Sequence, residues 1–405
     1  MSSVSPVAVI LAAAAVVIVV VLAASFLAQE KSDEFQVPEG LAEFTVTGST
    51  NLEGNIFLSW VYSKDIAMLD GKGNIVWAKH EDVGEDGVNA GYWDFKKHVI
   101  DGNVYYSYHD QDSSADKYGL PGYAPGERVI MNSNFKEISR ISFEASDTVT
   151  KGHLIDGHDF LLIDLQHYIM SGYIKDRVYN IEGYPDGSNV IYSYLQEVDN
   201  GEVVWEWRSI DYPELYSLTV TEATPTANDF ANEEVDAPDY VHFNAMRLND
   251  DGDLVCSFRH LDTILCLDRT TLTDQIKWKL SGNADEFGLS DSQKTSGQHY
   301  VTVDGDTVTA FDNHNLTEET RIVTYTIDTD KMSLEDFESY RIDGKYTSAC
   351  GSAQRLYGNT FAIGWGCAEN DNECFCIYDF DTDKRLISIT LKNPQSFTYR
   401  CVYYE

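Results

Sequence analysis

Ten histidines are spread along these 405 residues, and three of them sit in unusual company. Asp156-Gly-His158-Asp159-Phe160 opens one strand-like segment. Asp239-Tyr-Val-His242-Phe-Asn244 precedes a second, and Gly297-Gln298-His299-Tyr300 leads into a third that closes with Phe311-Asp-Asn313. An imidazole can be a nucleophile, an acid or base near neutral pH, or a metal ligand. The second segment turns at Asn249-Asp-Asp-Gly252 and returns as Val255-Cys-Ser257-Phe-Arg259-His260. With a strand period of two, His242 and Asn244 share one face, and Ser257 and Arg259 share one on the partner strand. Both strands then present polar groups to one cavity. Taken singly, a His at a strand end serves more often as a hydrogen-bond partner, and a lone Arg as a surface ion pair. The joint pattern points instead to a shared site holding His158, His242, Arg259 and His299. His153 and His167 lie near His158, and nothing internal separates them as candidates. His80, His98 and His109 read as structural or unassigned.

Groups so far apart along the chain need a scaffold that returns repeatedly to one place. After Pro38 helical periodicity is scarce, and short alternating runs bounded by turn residues dominate, such as those at 104–108, 322–327 and 359–364. One pattern recurs: an apolar strand, an Asp/Asn/Gly turn, then a strand that often ends in Trp. Its copies start at Asp70, Asn132, Asp199, Asp268, Asp328 and Asp379. Units spaced roughly 50 to 70 residues apart, with several strands each, are the signature of a β-propeller. One four-stranded blade cannot bury both faces alone, whereas blades packed around an axis can, and they leave only short edges. The expected fold is therefore all-β, a six-bladed β-propeller. Two sandwich domains would give no reason for six similar turns.

Composition narrows the function. Apolar residues make up 43% of the chain, enough for a large core, and 25 Tyr favour strands. The 66 acidic against 29 basic residues give a net charge of -37, which argues against a nucleic-acid partner. The run from Val7 to Ala28 is apolar and uncharged, long enough as a helix (roughly 33 Å) to cross a bilayer. The predicted organisation is residues 1–30 as a transmembrane signal anchor or a signal peptide, 31–45 as a linker and 46–405 as the propeller. The folded body is expected outside the cytoplasm, membrane-anchored or, if the segment is cleaved, secreted. All seven Cys lie beyond residue 255, without the tandem spacing of a zinc site. Cys350 and Cys367 are equidistant from the Gly358-Asn359 turn, and Cys256 and Cys266 from Leu261. Each pair would face across a regular hairpin.

From Asp239 to His299 the sequence resembles the arylsulfotransferase family, enzymes that take sulfuryl groups from aryl sulfate esters. The matching motifs are Asp239-Tyr-Val-His242-Phe-Asn244, Ser257-Phe-Arg259-His260-Leu-Asp262, Ile264-Leu-Cys-Leu-Asp268-Arg269, Trp278-Lys-Leu280, Gly297-Gln-His299 and Phe311-Asp-Asn313. His158-Asp-Phe160 with His167-Tyr168, Gly351-Ser-Ala-Gln-Arg-Leu356, Gly364-Trp-Gly366 and Ser396-Phe-Thr-Tyr399-Arg400 extend the likeness, in order, over nearly everything after residue 40. Ser281-Gly282 stands where the family usually has Gly-Gly, and Ala245 where it usually has Ser or another small residue. The resemblance implies a six-bladed propeller and transfer from a phenolic sulfate to a phenol through a covalent sulfohistidine. It places the nucleophile at His299 and a cation for the sulfuryl oxygens at Arg259. Donors at His242 and Asn244 would assist, with Ser257 beside the substrate. His158 would help bind the sulfuryl group or handle the phenolic proton; between His158 and His242 the proton is unassigned. No cofactor and no metal are implied, and no Gly-rich phosphate cradle is evident, in keeping with a donor that is not a nucleotide sulfate. Two other readings stand beside it. One is a non-catalytic ligand-binding propeller at the cell surface. The other is a metal hydrolase using His158, His242 and His299, which Arg259 in the same cavity disfavours.

Overall fold

An Asp or Asn that bonds its own following backbone N–H groups makes a tight turn without help from the rest of the fold. Asp70 Oδ1 accepts from the N–H groups of Lys72 and Asn74 (2.9 Å each), Asn132 Oδ1 from Asn134 (3.0 Å), Asp268 Oδ1 from Thr270 (2.7 Å) and Asp379 Oδ1 from Asp381 (2.9 Å). The computed structural model describes residues 35–82, 90–115, 122–220, 230, 237–367 and 371–405. In it all six turns occupy the same place, joining the third and fourth strands of successive antiparallel sheets. The joined pairs are Lys64–Asp70 with Ile75–Glu81, Pro125–Asn132 with Glu137–Ile141, and Ser188–Asp199 with Glu202–Arg208. They continue with Thr263–Leu267 and Ile276–Leu280, Arg321–Asp328 and Ser333–Arg341, and Glu373–Asp379 and Lys384–Leu391.

The six sheets are the blades of a β-propeller, numbered here from the N-terminal side. Their first strands line the axis: Thr398–Tyr404 in blade 1, Tyr92–Ile100 in blade 2, Phe160–Leu162 in blade 3, Phe243–Leu248 in blade 4, His299–Asp304 in blade 5 and Ser352–Tyr357 in blade 6. Both ends of the described chain close the ring. The C-terminal strand pairs with Asn55–Trp60 (Asn55 opposite Tyr404), so blade 1 takes its inner strand from the far end of the sequence. Phe44–Gly48 pairs with Lys384–Leu391 as a fifth, outermost strand of blade 6 (Phe44 opposite Leu391). The compact unit spans residues 39–405, and its first strand begins at Phe44. Residues 7–28, on which the anchor or signal expectation falls, lie outside the described residues. Among the described residues no helix is long and apolar enough to cross a membrane.

Burial follows from the stacking of blades. The strand Ser188–Asp199 is buried from Val190 to Val198 because both of its faces are covered, so it does not read as an alternating strand. One large cluster joins blades 3 and 4 through Leu195, Trp207, Met246, Phe258 and Leu265. The hairpin register corrects one cysteine expectation. Cys256 pairs with Leu265, and Val255 with Cys266, so Cys256 and Cys266 fall on opposite faces. The connecting 3-10 turn Arg259–Leu261, ending in Asp262 at φ 52°, shifts the pairing by one residue, and a one-residue shift reverses the face. The Cys350 and Cys367 side chains do face each other, with Cys367 Sγ 3.2 Å from Cys350 Sγ.

Candidate active site at the propeller axis

Strands that merely alternated could not aim all these side chains inward. The entries to the inner strands break the alternation in a repeated way. Asp94, His242, Tyr300 and Cys350 all have left-handed backbone (φ 49°, 50°, 52° and 64°), unusual away from glycine. The pairing shifts between Trp93 and Lys96, between Phe243 and Ala245, and between His299 and Val301. Bulges of this kind bend a strand and re-aim its side chains. His242 therefore does not share a strand face with Asn244, and Arg259 lies in the turn beyond its strand rather than on it.

The result is a cluster around Tyr399. The rings of His158 and His242 are 5.0 Å apart. Tyr399 lies 5.2 Å from His158, 6.3 Å from His299 and 5.0 Å from Trp93. The structure thus gathers His158, His242 and His299 at one end of the axis, all three buried. The charge of Arg259, whose Nη2 donates to the Ser348 carbonyl (3.2 Å), is close enough to depress both His242 and His299.

Each imidazole has its Nδ1 fixed by a neighbour. His158 Nδ1 bonds Asp156 Oδ1, and Asp156 also accepts the N–H of Ala124 (2.8 Å). His242 Nδ1 donates to Asp239 Oδ2 at 2.5 Å, and the same carboxylate accepts from Tyr123 Oη at 2.6 Å. His299 Nδ1 meets Asn313 Oδ1 at 2.7 Å, and its Nε2 accepts the N–H of Cys350 at 3.1 Å. Burial, reinforced by the Arg259 charge, holds His299 well below the usual imidazole range. Burial also lowers His242, against the pull of Asp239, so both rings are neutral at pH 7. Asp239 is lowered in turn: the His242 and His260 rings and the hydrogen bonds to it outweigh its burial.

The two other expected residues, Asn244 and Ser257, make contacts between blades. Asn244 Nδ2 donates to the Gln298 carbonyl (2.8 Å), and its own carbonyl accepts Tyr399 Oη (3.1 Å). Ser257 is fully buried, with its Oγ 3.2 Å from Gln298 Nε2. Both hold blades 4 and 5 together. His167 sits apart from the cluster on Glu197 (2.6 Å), whereas His153 lines the cavity beside it with Asp156. Sequence reasoning left Asp156, Asp239, Asn313 and Tyr399 without roles. For the two acids a signal was present: an Asp two or three residues before a His can fold back onto its Nδ1. Asn313 is fourteen residues from His299 and gave none.

Below this layer lie buried charges, all but Arg128 from the inner strands or their entries. Asp94 and Asp159 face Lys96, Arg128, Arg247 and Arg400, with Arg247 at 3.0 Å and Arg400 at 3.2 Å from Asp159 Oδ2. Beside the cluster a cavity of about 430 Å³ is walled by Tyr123 and Tyr173, which also stand 5.9 Å and 5.4 Å from the His242 ring. Asp239, His242 and His260 form the one set of metal-ligand type among the described residues. Both imidazoles, however, already spend Nδ1 on Asp239, His260 on its carbonyl oxygen at 2.7 Å.

Against known proteins, the family model described as Arylsulfotransferase (ASST) matches residues 28–400. No curated protein matches the chain. Among solved structures, a protein of unknown function from Bacteroides caccae is 10% identical, with 87% of this chain and 100% of that one covered and a TM-score of 0.47. BamB from Moraxella catarrhalis is 11% identical over 87% of this chain and 92% of its own, with a TM-score of 0.36. Likenesses this remote carry no functional information.

Proposed function

The chain belongs to the arylsulfotransferase family, and from that premise we propose that His299 takes the sulfuryl group from a phenolic sulfate ester and passes it to a phenol. The observation that carries this reading is the meeting, at one end of the axis, of a buried neutral His299 with two carboxylate-backed imidazoles and Arg259. In the first half-reaction Nε2 of His299 attacks sulfur, the S–O(aryl) bond breaks, and the phenol oxygen leaves with the bonding pair. The lone pair on Nε2 is covered by the Cys350 N–H at rest, so attack displaces that contact. The transition state is loose, as in phosphoryl transfer, and most of the work is neutralising oxygen charge and aligning the groups. Arg259 supplies the permanent cation.

His158 handles the proton. Held through Nδ1 by Asp156, it gives a proton to the departing phenolate and later takes one from the acceptor phenol. The acceptor oxygen then attacks sulfur, the N–S bond breaks, and its electron pair returns to His299. The enzyme regains its starting protonation, so atoms and charge balance over the cycle. His242, next to Arg259, borders the sulfuryl oxygens. The same proposal has the folded body working outside the cytoplasm, a reading whose support is the apolar, uncharged run at residues 7–28.

The test is transfer from p-nitrophenyl sulfate to a panel of phenols, with and without chelator. Expected are chelator-insensitive release of nitrophenol, formation of the acceptor sulfate, and, without acceptor, a protein mass gain of one SO3 that is absent in His299→Ala. A folded His299→Ala enzyme transferring at the wild-type rate would remove the assignment, and ligand binding without turnover would favour the non-catalytic propeller.

A further inference from the structure

The three axial imidazoles are not held alike, and the difference is chemical. His158 and His242 each give Nδ1 to a carboxylate, Asp156 and Asp239. His299 alone gives Nδ1 to neutral acceptors: the side-chain amide oxygen of Asn313 at 2.7 Å and, farther off, the Gly297 carbonyl at 3.1 Å. The orientation of this amide is fixed by its other end: Asn313 Nδ2 donates to the carbonyls of Thr347 (2.8 Å) and Cys350 (3.1 Å). Its Oδ1 must therefore point to His299 as an acceptor, so Nδ1 carries the proton. An independent contact agrees, because the Cys350 N–H donates to Nε2 and requires a lone pair there.

We propose that Asn313 is the positioning residue that makes His299, rather than either neighbour, the nucleophile. This rests on the reading of His299 as the sulfated residue. A carboxylate on Nδ1 stabilises the imidazolium and makes the ring a better proton carrier. A neutral amide fixes the same tautomer without adding charge, leaving Nε2 unprotonated. It matters again in the second half-reaction. Sulfated at Nε2 and protonated at Nδ1, the ring departs as neutral imidazole when the N–S bond breaks, and Nδ1 keeps its proton. A carboxylate in place of the amide would draw on that proton and make the leaving group worse.

The experiment has two arms. Ring nitrogen NMR of the ¹⁵N-histidine-labelled full chain, with the His299 signals assigned by their loss in His299→Ala, reads the tautomer without any sulfate chemistry. The expected state is Nδ1–H with a bare Nε2, and an Nε2–H tautomer would overturn the proposal. The second arm follows the rate of sulfation by p-nitrophenyl sulfate against pH. Asn313→Ala is expected to slow sulfation by about 100-fold, with a smaller change in donor KM. Asn313→Asp is expected to keep more activity than Asn313→Ala while its acid limb moves to higher pH, because a carboxylate favours the charged ring. A wild-type rate and an unmoved pH profile in folded variants would also overturn it. If the variants do not fold, the tautomer in the wild-type chain decides. An Nδ1–H ring in a protein that never becomes sulfated would sink the nucleophile reading instead.

Discussion

His299 gains its reactivity from being hard to protonate. Burial first, and Arg259 second, hold it well below the usual imidazole range, and burial also lowers His242. Single-turnover sulfation by p-nitrophenyl sulfate, whose leaving group needs no proton, should therefore keep its rate as pH falls through about 6.5, the ordinary imidazole value. A loss of half the rate near that value would count against a shielded nucleophile. The same shifts act on stability. Below about 6.5 the unfolded chain takes up protons that the buried rings refuse, so stability falls as the solution is acidified. Asp156 and Asp239 push the same way at lower pH: each is held below its usual value by its His partner despite burial. Their contribution is present above an unfolded carboxyl pKa of about 3.9 and is lost as pH drops through their folded values. Thermal melts should show a midpoint that declines from neutral pH into acid; a flat or rising midpoint would contradict neutral, buried imidazoles.

At the scale of elements, function depends on the irregular first residues of the inner strands. Gly351 follows Cys350 into blade 6 at φ 106°, and a Cβ there would stand 2.2 Å from the Phe311 ring. Gly351→Ala should cost about 1–3 kcal/mol in denaturant melts. It should also slow transfer, because it displaces the Cys350 amide that rests on His299. Ser281 and Gly282, the departure from the family's usual Gly-Gly, are both left-handed (φ 73° and 70°). Ser281 is tolerated there with its Oγ accepting the Thr295 N–H (2.8 Å). Ring closure offers a graded comparison. Ending the chain at residue 397 removes the inner strand of blade 1 with Tyr399 and Arg400, and should abolish cooperative unfolding. Starting it at residue 49 removes residues 1–48, and with them, of the blades, just the mostly exposed outer strand Phe44–Gly48; it should leave a folded, less stable protein. Equal stability of the two truncations would show that closure does not hold the ring.

For the whole molecule, an anionic substrate must reach a protein of net charge -37. The buried layer beneath the site offsets this locally, with four cationic side chains against Asp94 and Asp159. Long-range repulsion remains, and salt screens it with a Debye length of about 8 Å at physiological ionic strength. Raising ionic strength should therefore raise kcat/KM for aryl sulfates, and more for doubly than for singly charged donors. An unchanged or falling value would mean that the surface charge does not govern capture.

The sequence alone determined what short-range chemistry can write. The Asx turns at Asp70, Asn132, Asp268 and Asp379 close on their own backbone, and together with the turns at Asp199 and Asp328 their recurrence counts the six blades. Tertiary structure decided everything that depends on register and on distant partners. A left-handed residue and a bulge moved His242 off the face expected of it, and an odd turn separated Cys256 from Cys266. The bond from Asn244 to the carbonyl of Gln298 on the next blade was likewise invisible in its own strand. The partner that distinguishes His299 from its neighbours also arrives only through pairing of His299–Asp304 with Thr307–Asp312 and the chain just beyond. The physical reason is range: a turn is settled by atoms a few bonds apart, whereas the proton on an imidazole is settled by whichever acceptor the packed blades bring to it.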